Sequence, residues 1–203
     1  PATIKMLKKA AADGCETIFD RADAMKPCPI GAEGSCCKTC VMGPCRVPAP
    51  KKKGEEKTRR VGLCGATAET ISARNFARMV AAGTAAHSDH ARGVTEVFLA
   101  TAKGKVPGFE IKDEQKLLQL AMDLGVEIGN RSVQEIAIDV GEKALSEFGR
   151  QEGEILLAKR APLKRQEIWR NLGIFPRGID REVVELLHRT CMGVDQEYKD
   201  LLY

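Results

Sequence analysis

The sequence predicts an all-α protein, a helical bundle domain with an irregular cysteine-rich loop toward its N-terminal end. Three observations point there. Beyond residue 66, apolar residues recur at steps of three and four, the spacing of one helix face. The two-residue alternation of a strand is nearly absent. Between residues 26 and 65, Pro27, Pro29, Pro44, Pro48 and Pro50 stand among glycines and six of the eight cysteines, so neither helix nor strand can run far. The expected organisation is an N-terminal helix over 1–25, a cysteine-rich loop over 26–65 and a helical domain over 66–203.

Each element has its own signal. In residues 2–25, Ile4, Met6, Leu7, Ala10, Ala11, Ile18 and Phe19 give an amphipathic helix interrupted around Gly14. The following loop is too broken to pack a core, so bound metal is expected to substitute for one. Its basic stretch from Lys51 to Arg60 reads as a solvated surface loop, with a docking patch for an acidic redox partner as the alternative. From Thr67 to Ala102, a helix places Ala73, Ala77, Val80, Thr84, His87, Ala91, Val94 and Phe98 on one face, which turns His87 inward. The small residues from Ala81 to Ala86 suit a tight interface. Further helices are expected over 113–124, stopped by Gly125, and over 133–149, where Ser132 and Glu135 have capping-box spacing. Two more span 152–171, kinked or restarted at Pro162, and 180–202, with Asp180 as the N-cap after Pro176 and Gly178.

Composition narrows the function classes. With 203 residues, 43% of them hydrophobic, the chain has enough apolar mass for a core, which excludes disorder. No apolar run approaches the roughly 20 residues that cross a bilayer, and no export signal is evident, so a cytoplasmic location is expected. Aromatic residues make up only 4%, and scattered charges give the net +4, which argues against a nucleic-acid platform.

Cysteines carry the chemistry. Seven of the eight fall in the first third of the chain, and in a cytosolic protein such a cluster points to metal ligation rather than disulfides. The spacing Cys37-x2-Cys40-x4-Cys45-x18-Cys64 supplies four thiolates, enough for a cubane iron–sulfur cluster, each of whose irons needs one cysteine. Zinc also accepts four thiolates, but its structural sites usually come as two paired knuckles, which the x4 gap before Cys45 fits less well. Gly31, Gly34, Gly43, Gly62 and Gly65 permit positive φ and close backbone approach around such a group. Cys28 and Cys36 are left over. Two thiolates cannot close a cluster alone, but in a twofold dimer the same pair meets itself across the axis and becomes four. Cys36 and Cys37 would then face opposite ways. The alternative for Cys28 is a small buried hydrophobe, and the plain structural reading is preferred for Cys15 and Cys191.

The string from Cys28 through Cys36-Cys37-Lys-x-Cys40-x-Met-Gly-Pro-Cys45-Arg46, then Gly62-Leu-Cys64 and onward to Asn75 and His87-Ser-Asp-His90, resembles the N-terminal helical, cluster-binding region of anaerobic nickel–iron carbon monoxide dehydrogenases. The resemblance implies that Cys37, Cys40, Cys45 and Cys64 hold a B-type [4Fe–4S] relay cluster. It implies that Cys28 and Cys36 hold half of an intersubunit D-type cluster, [4Fe–4S] or [2Fe–2S]. It further implies a homodimer, a ferredoxin-like redox partner, and oxidation of CO and water to CO2, two protons and two electrons at a Ni–Fe–S C-type cluster. That nickel site belongs to Rossmann-like domains which follow this region in the family. Downstream of Cys64 the chain has one cysteine and three histidines, too few to hold it.

His87 and His90, three apart on a helix, are more often structural than catalytic on their own. The resemblance gives His87 a catalytic acid–base role near the nickel cluster. It also implies a ladder of histidines, whose next rungs fall here on Gly93 and Glu96. Two other readings stay open: a stand-alone iron–sulfur electron-transfer module without catalysis, and a zinc-stabilised helical binding protein.

Overall fold

The structure, a computed structural model, describes residues 1–48 and 60–203. It is predominantly helical. Helix α1 (Ala2–Ala12) ends ahead of Gly14, and α2 (Ile18–Ala24) restarts at Thr17, whose hydroxyl and backbone exchange hydrogen bonds with Asp20 in a capping box. Neither helix buries a side chain. A short turn of helix, α3 (Pro29–Ala32), leads to a two-stranded antiparallel hairpin of β1 (Cys36–Cys37) and β2 (Cys45–Arg46). Most of the basic stretch, Lys51 to Arg60, lies outside the described residues.

Helix α4 (Ala68–Ala102) runs 35 residues and packs against nearly everything else. Its C-terminal half joins α5 (Glu114–Leu124) and α6 (Val133–Phe148) in the larger core, built on Ala102, Leu117, Ala121, Leu124, Ile136, Ala137 and Val140. The sequence signals act as expected here. Gly125 adopts a left-handed conformation that closes α5, and Ser132 and Glu135 cap α6 reciprocally, the Ser132 N–H donating to the Glu135 carboxylate at 2.8 Å. Pro162 ends the helical path after α7 (Leu156–Arg160) and starts α8 (Leu163–Leu172).

Three expectations are corrected. The stripe through Val80, Thr84, His87, Ala91 and Val94 is exposed, and His87 points outward. The buried face lies about one residue over, through Ala77, Ala81 and Ser88, and α9 (Ile179–Arg189) packs along α4. Alanines line both faces of α4, so apolar periodicity could not tell them apart. The expected helix over 180–202 is two, α9 and α10 (Tyr198–Leu202), separated by a loop in which Gly193 has φ +76°. Asp180 is not the N-cap. Helix α9 starts at Gly178, where any Cβ would collide with the Arg150 backbone, and Asp180 in its first turn instead pairs with Arg92 of α4 at 3.0 Å. Among the described residues, no helix is long and apolar enough to cross a membrane.

Candidate metal-cluster site

The hairpin sorts the cysteines. Its register pairs Cys37 with Cys45 and Cys36 with Arg46. Successive side chains of a strand point to opposite faces, so Cys37 and Cys45 share one face while Cys36 and Arg46 share the other. Tightness at the turn demands a glycine. At Gly43 a Cβ would sit 3.2 Å from the Cys37 carbonyl oxygen and 3.3 Å from the Cys45 nitrogen. Of the other glycines in the loop, Gly34 and Gly65 take positive φ.

On the inner face, Cys37, Cys40, Cys45 and Cys64 all line one small cavity. Thr39, Gly62, Leu63, Ala66, Ile71, Arg74 and Met192 complete the wall. The floor is a small core of Val47, Ala66, Ala68 and Ile71, against which Cys37, Cys45 and Cys64 pack. The Leu63 N–H donates to Cys45 Sγ at 3.5 Å, and Cys37 Sγ lies 3.4 Å from the Thr39 hydroxyl. Burial alone pushes the Cys64 thiol up, but Arg74, the Ala66 N–H and Gln196 together hold it below its ordinary value.

On the outer face the surroundings differ. Cys28 is exposed and Cys36 half-buried, and neither lines the cavity. The Cys28 thiol is held below its usual range by backbone N–H groups of Gly31 and Ile30, with Arg46 and Lys38 adding positive charge. Cys15 and Cys191 are exposed and also stand apart from the cavity.

The first turns of α4 hold both halves of the site. Asn75 donates to the carbonyl oxygens of Gly34 at 2.7 Å and Cys36 at 3.1 Å, and Ser72 donates to that of Glu33 at 3.2 Å, fixing the entry to the hairpin. Another side of the helix grips the loop after α9. Thr70 donates to the Gln196 carbonyl at 2.8 Å, Arg74 to that of Asp195 at 2.6 Å, and Arg78 to the Thr190 hydroxyl at 2.8 Å. Gln196 in turn donates to the Cys64 carbonyl at 3.1 Å. Met192, Gln196 and Arg74 were not singled out from sequence. For Arg74 a signal existed, since it falls on the buried face of α4 beside Ala77 and Ala81.

His87 and His90 are exposed on the middle of α4, and neither lines the cavity. Among the described residues, no three His, Cys, Asp or Glu side chains converge closely enough to hold a single metal ion. Four thiols spaced around a shared cavity, with a buried guanidinium beside them, fit an anionic cluster larger than one ion.

This pairing of a helical bundle with a cysteine-lined hairpin has known counterparts. The chain belongs to the Prismane/CO dehydrogenase family, whose profile matches residues 35–203. It is 50% identical to carbon monoxide dehydrogenase 1 of Methanosarcina acetivorans, over 97% of this chain and 31% of that protein. It is 39% identical to the carbon monoxide dehydrogenase/acetyl-CoA synthase subunit beta of Moorella thermoacetica, over all of this chain and 30% of that one. Among solved structures, the as-isolated, nickel-free carbon monoxide dehydrogenase of Thermococcus sp. AM4 superposes with a TM-score of 0.84 at 41% identity, covering 98% of this chain and 31% of its own. The chain thus spans about a third of the length of the curated relatives it matches.

Proposed function

We propose that this chain is the helical, cluster-bearing N-terminal segment of an anaerobic nickel–iron carbon monoxide dehydrogenase, an oxidoreductase that converts CO and water to CO2, two protons and two electrons. In this reading residues 1–25 lead into the loop, residues 26–65 bind the clusters and residues 66–203 form the helical support. Cys37, Cys40, Cys45 and Cys64 hold a B-type [4Fe–4S] cluster, and Cys28 and Cys36 contribute half of a D-type cluster shared with a second copy of the chain. The observation that carries it is the hairpin register, which puts Cys37 and Cys45 in one cavity with Cys40 and Cys64 and turns Cys36 away.

Cubane clusters, when bound, supply single-electron transfer at low potential. The chain's own residues do the rest. Buried Ile71 gives the cavity an apolar wall, the Leu63 N–H donates toward the Cys45 sulfur, and Arg74 adds positive charge. On the outer face, exposed Cys28 with Lys38 and Arg46 nearby suits a second protomer completing a shared anionic cluster. The exposed stretch of α4 with His87, flanked by the exposed apolar Val80, Val94 and Val97, is the surface on which the Rossmann-like domains carrying the C-type Ni–Fe–S site would pack. There His87 would serve as the catalytic acid–base group. Electrons would leave through the B- and D-type clusters to a ferredoxin-like acceptor in the cytoplasm.

The test is anaerobic purification of the full chain with metal analysis, visible absorption and EPR. Iron and sulfide with broad visible absorption, and CO-dependent viologen reduction once the nickel-bearing domains are present, are expected. Zinc in place of iron would refute the reading. Iron–sulfur signals without CO-dependent reduction in the complete assembly would leave only an electron-transfer module.

A further inference from the structure

Arg74 is among the most completely buried side chains, at 1% exposure, and it is a cation. Its Nη1 donates toward Cys64 Sγ at 3.6 Å and its Nη2 to the Asp195 carbonyl at 2.6 Å. Among the described residues its Nε has no hydrogen-bond partner. None of these partners is a carboxylate. A guanidinium buried without a countercharge is strongly unfavourable, and natural proteins keep such a group only where an anion faces it. Arg74 lines the cavity of Cys37, Cys40, Cys45 and Cys64, so the missing anion belongs there.

The arginine is also fixed in place from behind. The Asp195 carbonyl holds one end of the fork, while the Asp195 carboxylate is occupied by Arg189 at 2.6 Å. Neighbouring Gln196 is anchored both to the Thr70 hydroxyl and to the Cys64 carbonyl. The loop after α9 thus holds the guanidinium beside the cavity through a carbonyl rather than a carboxylate.

We infer that Arg74 is a positioning residue that tunes the cluster held by Cys37, Cys40, Cys45 and Cys64, raising its reduction potential by placing beside it a buried positive charge and an Nη1 donor aimed at the Cys64 sulfur. The inference rests on the proposed cluster assignment and goes beyond it by naming the residue that sets the potential. A nearby cation and N–H donors favour the more negative, reduced state. Removing them should lower the potential.

The experiment is an EPR-monitored redox titration of the anaerobically purified full chain, unsubstituted and as Arg74→Gln and Arg74→Lys, with iron and sulfide determined on each sample. The relevant signal is the one abolished by Cys64→Ser. Arg74→Gln should keep the cluster and shift that signal alone to lower potential, and Arg74→Lys should recover part of the shift. An unchanged potential in a cluster-replete Arg74→Gln protein would overturn the inference. So would a shift equal in Arg74→Lys and Arg74→Gln, or loss of the cluster in both variants, either of which assigns Arg74 a purely structural role. An unsubstituted protein without iron–sulfur signals would instead refute the cluster assignment, a separate outcome.

Discussion

Adjacent Cys36 and Cys37 should fail in different ways when changed to serine. They occupy neighbouring positions of β1, yet the register sends Cys37 to the cavity opposite Cys45 and Cys36 to the outer face opposite Arg46. Serine leaves the backbone carbonyls of Gly34 and Cys36 in place to accept from the Asn75 side-chain amide, so the hairpin itself should survive either change. On the proposed assignment, a B-type cubane would contribute about four irons per protomer, and a shared cluster about two more if it is a cubane or about one if it is a rhomb. Cys36→Ser should therefore remove about a third or about a fifth of the iron and leave an intact B-type EPR signal, with a weaker dimer in size-exclusion chromatography. Cys37→Ser should remove most of the iron and that signal. Iron analysis, visible absorption and EPR on both variants decide the matter. Equal losses from the two substitutions would refute separate ligand sets and with them the two-faced hairpin.

Three further outcomes follow from the same geometry. Ile71, fully buried in the cavity wall, should cost about 2–5 kcal/mol when changed to alanine, read by chemical denaturation, and should make cluster loss on chelation faster. Glu182 is held below the usual carboxylate range first by the Arg177 side chain, then by the Arg177 N–H, against an opposing effect of burial. Its contribution is complete above the unfolded value, about 4.3, and is lost as the pH falls through the lower folded value. The stability gap between the protein and Glu182→Gln should accordingly shrink on acidification, and a gap that widens would contradict that ion pair. Removing iron with a chelator should leave most far-ultraviolet helical signal intact, since the larger core contains no cysteine, while increasing proteolysis within residues 26–65.

Much of the fold was legible because its signals are local. The capping box at Ser132 and Glu135, the stop at Gly125 and the restart at Pro162 are each decided by a few neighbouring residues, and they appear where expected. Where the sequence misled, distant groups decided. The helix expected over 180–202 breaks because Thr70 and Arg74, far away in the chain, bind the carbonyls of Gln196 and Asp195 that a continuous helix would have used internally. The buried face of α4 was misassigned because alanines occupy both candidate faces. Its true orientation is marked by polar side chains that reach across, Arg78 to Thr190 and Arg92 to Asp180. Cysteine spacing separated the two thiol sets, but nothing in that spacing pointed to the guanidinium between the cavity and the loop after α9.

Helix α4 explains how so irregular a loop can be held still. At about 1.5 Å per residue, its length places the larger core tens of ångströms from the cysteines. The two regions are nonetheless parts of one element. Phe98 and Ala102 anchor the far end among α5 and α6, while Ser72, Asn75, Thr70 and Arg74 present a fixed pattern of donors at the near end. Ser72 and Asn75 take backbone carbonyls at the entry to the hairpin, and Thr70 and Arg74 take those of the loop after α9, so both irregular segments have their carbonyls satisfied by one helix. Order at the cavity is thus borrowed from apolar burial elsewhere. This division would also suit the proposed electron transfer, because a cluster site works through fixed distances and charges, and α4 supplies both above the small core of Val47, Ala66, Ala68 and Ile71.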